Sequence, residues 1–112
     1  MTNDNLTKTR AYAYDRPVPR TPELASLSGI ELIRRMAAGE IPAPSIAQTL
    51  DFRLVEVESG RVVFEGDPSD YVLNPMGGVH GGYTATLLDS AMGCAVHTMM
   101  GPGQSYTTVE LK

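Results

Sequence analysis

From Tyr71 to Val109 the chain runs for 39 residues with one side chain that is ionised at neutral pH, Asp89. A solvent-facing segment of that length carries several Lys, Arg or Glu, so this one is expected to be buried on most sides. The stretch from Gly81 to Met100 has about the length of a membrane span, roughly 20 residues. Asp89 sits near its middle, however, where a charge costs on the order of 2.5–3.5 kcal/mol or more. Three glycines, two threonines before Asp89 and the lack of a basic flank also argue against a bilayer. A helix enclosed by protein fits better.

The 112 residues are one domain or part of one, and a 42% hydrophobic content is enough to build a core. Nine basic against thirteen acidic residues give a net charge of −4. A general nucleic-acid binder needs the opposite sign to collect phosphates, so that class is excluded as a leading reading. Cys94 is the only cysteine, which precludes an internal disulfide and a cysteine-built zinc site. Residues 1–20 carry no apolar signal-peptide core. Together with the lone thiol this points to a reducing cytoplasm. The same residues read as a polar arm whose Lys8, Arg10, Arg16 and Arg20 are solvated, with the holding of ligand phosphates as the sharper alternative. Residues 21–112 form the domain proper.

Thr21-Pro22-Glu23 reads as a helix start, with Thr as N-cap, Pro at the first helical position and an acid at the positive dipole end. Leu24, Leu27, Ile30, Ile33 and Met36 make one apolar stripe, which predicts a single helix up to Gly39. Residues 47–58 alternate as a strand, with a phase slip at Leu54-Val55 that predicts a β-bulge. Ser59-Gly60 supplies a hairpin turn, and Arg61 to Gly66 a second strand. A Pro- and Gly-containing loop over 67–79 leads to a helix from about His80 to Met100. Gly101-Pro102-Gly103 ends it, and residues 104–112 read as a third strand.

The glycines of Asn74-Pro-Met-Gly-Gly-Val-His80-Gly81-Gly82 would let a ligand approach the free N–H groups of the helix start closely. With the macrodipole these donors make a place for developing negative charge, such as an acyl-transfer oxyanion. Asp89 lies two turns further along on a similar face, where a carboxylate in apolar surroundings suits a general base or nucleophile. A structural Asp held by Thr86 or Ser90 hydroxyls, or by a neighbouring loop, is the plainer reading. His80 is expected to hold the loop or touch a substrate carbonyl, and Asn74 to make a turn or position a water. Cys94 and His97 face one another at helical spacing, but Cys94 reads as a small core residue. His80 and His97 lack a third ligand, so no metal site is expected.

The string from Asn74 to Asp89 resembles hotdog-fold acyl-CoA thioesterases of the phenylacetate-degradation (PaaI-type) group. His-Gly-Gly, Asn74 six residues before the His, Asp89 nine after it and the Thr-Thr-Val-Glu-Leu segment at 107–111 carry the resemblance. It extends back through 39–42 to about Leu27.

The resemblance implies an α+β hotdog fold, a long helix wrapped by an antiparallel sheet. It implies Asp89 as the catalytic carboxylate and Gly81 as the amide that polarises the thioester carbonyl. Gly82 and Tyr83 would meet substrate, and Asn74 and His80 would order the loop and the water. Thr108, with Thr107 as fallback, would add a hydroxyl from a second subunit. An acyl-CoA substrate, no cofactor and a homodimer or homotetramer with the site at the subunit interface follow, and Tyr83, Leu87 and Met92 would line an apolar tunnel.

The family's sheet order, 1-2-4-5-6-3, leads to the expectation that the chain as given lacks the last three strands. A truncated, non-catalytic homologue is therefore an alternative. An acyl-thioester hydratase or dehydratase on the same fold ranks lower, because that chemistry uses a different His motif.

Overall fold

The computed structural model describes residues 6–112. Its elements are α1 (Pro22–Ala25), α2 (Gly29–Ala37), α3 (Ser45–Leu50), β1 (Phe52–Glu58), β2 (Arg61–Gly66) and α4 (Gly81–His97). A short 3-10 turn, Asp70–Val72, interrupts the loop before α4. The result is an α+β arrangement in which the helices pack on an antiparallel β1–β2 hairpin.

The single helix expected after Thr21 is two. Thr21 caps α1, but the chain leaves the helix at Ser26 and restarts at Gly29. The cause is a capping box: the Ser28 side chain accepts from the Glu31 N–H, and the Glu31 carboxylate accepts from the Ser28 N–H. Four polar groups satisfied locally outweigh continuity of the apolar stripe. The strand expected over 47–58 also begins later, because residues 45–50 form α3. Asp51 adopts φ 58°, ψ 57° as its C-cap and turns the chain from helix into β1.

The bulge lies where the phase slip predicts it, between Leu54 and Glu56. Val55 is the extra residue and points outward, while Phe52, Leu54 and Val57 face inward. The Ser59-Gly60 turn is tied to the far end of α4. The Gly60 N–H donates to Thr98 Oγ1 at 2.8 Å, and that hydroxyl donates to Ala95 O at 2.6 Å. One buried threonine thus fixes the hairpin against the helix.

Residues 104–112 form no strand. An extended segment becomes a strand only when a neighbour pairs its N–H and C=O groups, and among the described residues none lies alongside this one. Residues 6–20 are likewise without helix or strand and exposed, apart from a half-buried Arg10. They nonetheless touch the body: Lys8 pairs with Asp70, and the Arg10 guanidinium stacks 3.8 Å over the Tyr71 ring. The part of the proposed arm before residue 6 lies outside the described residues. No helix among those described is long and apolar enough to cross a membrane.

The core is small: Ile33 of α2, Ala47 of α3, Phe52 of β1, Val72, and Tyr83 and Cys94 of α4. Tyr83 is turned toward the sheet, where its hydroxyl crowds Gly66 and, being buried, finds no hydrogen-bond partner among the described residues. Burial raises its pKa, with Tyr71, Asp51 and Asp67 adding to the effect. An unsatisfied buried hydroxyl costs about 1–3 kcal/mol. Tyr83→Phe is therefore expected to be at least as stable as the parent in urea unfolding. A loss above about 1 kcal/mol, the net worth of an ordinary hydrogen bond, would show that the hydroxyl is in fact paired.

Candidate active site

Helix α4 starts at Gly81 because His80 caps it. The His80 Nδ1 accepts from the Gly82 N–H at 2.8 Å, and the His80 N–H donates to Val72 O at 2.8 Å. Nδ1 is thus an acceptor, and in the neutral ring the proton sits on Nε2. These bonds tie His80 to the loop and to the helix start, and they consume the Gly82 donor. The Gly81 N–H has no acceptor among the described residues. It remains the donor at the positive end of a helix of 17 residues.

Asn74 organises the loop in front. Its Oδ1 accepts from the N–H groups of Met76 at 2.9 Å and Gly78 at 3.1 Å, and its own N–H donates to Gly78 O. This is the turn-forming role, and it leaves the Nδ2 amide protons for a ligand.

Asp89 lies eight residues after Gly81, about 12 Å along the helix axis. Its side chain leans toward the N-terminus, which shortens that interval. The carboxylate is half-buried. The Thr108 hydroxyl donates to its Oδ1 at 2.7 Å. Thr86 does not cap it, since that hydroxyl donates to Gly82 O instead. The plainer reading of Asp89 thus loses Thr86 as a partner and keeps its neighbouring-loop form, with Thr108 as the donor. The hydroxyl expected from a second subunit is here supplied by the same chain.

A pocket surrounds the Asp89–Thr108 pair, lined also by Arg20, His97 and residues 105–107. Thr107 is thus beside the site. Tyr83 is not: it lies in the core on another face of α4. Of the residues expected to line a tunnel, Leu87 is half-buried and Met92 is exposed. Leu88, Met92 and Val96 form an exposed apolar row on α4.

Tyr106 was not singled out for the site by sequence reasoning, Arg20 was read only as one of four arm cations, and His97 was weighed only beside Cys94 or as a metal ligand. His97 and Tyr106 meet ring edge to face with centroids 5.7 Å apart, and Tyr106 lies against Gly93, where a Cβ would clash with its ring. That packing brings residues 105–108 back along α4, and no local sequence signal reports it. Burial lowers the His97 pKa, and the Arg20 charge lowers it further.

Cys94 does not work with His97 as a nucleophilic pair. It is buried, and burial raises its thiol pKa. Nucleophilic cysteines show the reverse. In native protein Cys94 is expected to label with a disulfide reagent only as fast as the fold opens, and at once in denaturant. Immediate labelling of native protein would contradict this burial. Among the described residues no group of three or more His, Cys, Asp or Glu is placed to hold a metal ion.

Residues 76–112 match the thioesterase superfamily. The matched segment, about a third of the chain, holds Gly81, Asp89 and Thr108. No curated protein and no solved structure matches the chain.

Proposed function

We propose that the chain is a hotdog thioesterase of the PaaI-type group that hydrolyses acyl-CoA to a free acid and CoA-SH. The observation that carries this reading is the Thr108–Asp89 hydrogen bond of 2.7 Å on α4, within the segment that matches the thioesterase superfamily.

Asp89 is the general base. Thr108 occupies Oδ1 and keeps the carboxylate oriented, so Oδ2 takes the proton of an attacking water. The water oxygen adds to the thioester carbonyl, whose oxygen gathers negative charge at the Gly81 N–H and the positive end of α4. Collapse breaks the C–S bond, and the thiolate leaves as CoA-SH after taking up the proton. His80 acts through the loop by capping α4, and Asn74 holds the loop and offers Nδ2 to the water or carbonyl. The reading includes a cytoplasmic location and assembly as a homodimer or homotetramer. The apolar row Leu88, Met92 and Val96, each about half exposed (53%, 51% and 53%), supports such an assembly.

The test is release of free thiol from a panel of acyl-CoAs by the parent chain and by Asp89→Asn side by side. Release by the parent that the variant loses supports the reading, and equal release by both overturns it.

A further inference from the structure

The arm is fastened to the body at two places, and one of them is the turn that carries the start of α4. At the first, the Asp15 N–H donates to Gln48 Oε1 of α3 at 2.5 Å, and Gln48 Nε2 donates to Asp15 Oδ2 at 3.1 Å. At the second, the Arg10 guanidinium lies 3.8 Å from the ring centroid of Tyr71 and 4.2 Å from that of Tyr12. Lys8 pairs with Asp70 beside it, but both side chains are exposed, and such pairs are worth little. Arg10 is half-buried, and a cation held over rings and partly out of water is worth more. The grip on the turn is therefore that of Arg10.

Tyr71 is the middle residue of the 3-10 turn Asp70–Val72. Val72 follows it, buried, and its carbonyl accepts the His80 N–H at 2.8 Å. Leu73 and Val79 bridge alongside, where the Asn74 N–H donates to Gly78 O at 2.8 Å. These bonds join the turn to the start of α4. His80 caps that helix, and the next amide along is the Gly81 N–H.

We infer that Arg10 is a positioning residue: stacked on Tyr71, it holds the turn, and through the turn it sets the Gly81 N–H against the thioester carbonyl. The inference rests on the hydrolytic reading above, and it makes the arm part of the machinery without contact to substrate. A clamp shifts an equilibrium by no more than its own interaction energy. For a partly desolvated cation–π contact that is a factor of about thirty.

Arg10→Ala and Tyr71→Ala are each expected to lower kcat about tenfold, within that bound. KM is expected to stay within about twofold, because Gly81 meets charge that develops only in the transition state. The double variant is expected to be no worse than either single one, since each removes the same contact. Tyr71→Phe keeps the ring face and is expected to keep the parent kcat. Backbone hydrogen exchange, followed segment by segment by mass spectrometry, reports the clamp without catalysis. In Arg10→Ala, residues 72–82 are expected to exchange about tenfold faster while β1 and β2 hold the parent rates.

That exchange pattern together with the kcat losses supports the inference. Exchange that is unchanged over 72–82, or that quickens equally through β1 and β2, overturns it. Losses that multiply in the double variant, or a Tyr71→Phe protein as slow as Tyr71→Ala, also overturn it. Thiol release that Arg10→Ala leaves at the parent rate overturns the inference and leaves hydrolysis standing. Quickened exchange over 72–82, without thiol release from any acyl-CoA by the parent, keeps Arg10 as the clamp on the loop and overturns the hydrolytic reading.

Discussion

Asp89→Asn is expected to lower thiol release from acyl-CoA by about 10²–10⁴-fold, the usual contribution of a positioned general base. The substitution keeps size and shape, and an amide oxygen can still accept from the Thr108 hydroxyl, now 2.7 Å from Oδ1. The fold is therefore preserved while the basic site is lost. Thr108→Val removes the orienting donor and leaves the base, so its loss is smaller. Because the two groups form one unit, the double variant is expected to be no worse than Asp89→Asn alone. If the two losses multiply instead, Thr108 acts through some partner other than Asp89. If Asp89→Asn retains the parent rate, Asp89 is a structural residue.

The largest stability effect is expected at Gly29, far from the proposed chemistry. A Cβ there would lie 1.8 Å from the His97 carbonyl oxygen and 2.9 Å from the carbonyl carbon. Both are backbone atoms, which cannot rotate away. The Gly29 N–H also donates to Met100 O at 2.9 Å. Any retreat of α2 that relieves the clash breaks that bond and pulls α2 off the end of α4. Overpacking costs about 1–3 kcal/mol where side chains can adjust. With backbone on the other side, Gly29→Ala is expected to reach or exceed the top of that range, about 3 kcal/mol, and to lower Tm by roughly 10 °C or more. Gly39→Ala is the control: φ is +77° there and a Cβ meets nothing within 4 Å. It is expected to cost only the left-handed penalty, about 1–2 kcal/mol. A Gly29→Ala protein that melts with the parent would mean that α2 and α4 do not pack so closely in solution.

Much of the local structure was legible because its causes are local. Ser59-Gly60 makes the hairpin, and Gly60 takes a φ of +75° there. The phase slip at Leu54-Val55 marks the bulge because side-chain direction alternates at every residue. The break between α1 and α2 was also written in the chain, as Ser28-Gly-Ile-Glu31, a capping-box pattern that the apolar stripe masked. α3 was hidden differently. Its alternating pattern mimics a strand, and only Asp51 in a left-handed conformation shows where helix gives way to β1.

By itself the sequence determined that a long, nearly uncharged helix would carry one acid, that His80 would open it, and that glycines would leave a donor free at its start. Those features depend on residues within a turn or two of each other. The resemblance named Thr108 for the site, from a second subunit; only the tertiary structure put the hydroxyl of the same chain on Asp89 and Arg20 beside it. Thr108 lies 19 residues away from Asp89, and Arg20 lies much further. Both reach the site because Tyr106 packs on Gly93 and because the arm crosses α2 and the end of α4. Such contacts depend on how whole elements fill space together, and no periodicity or spacing along the chain records them.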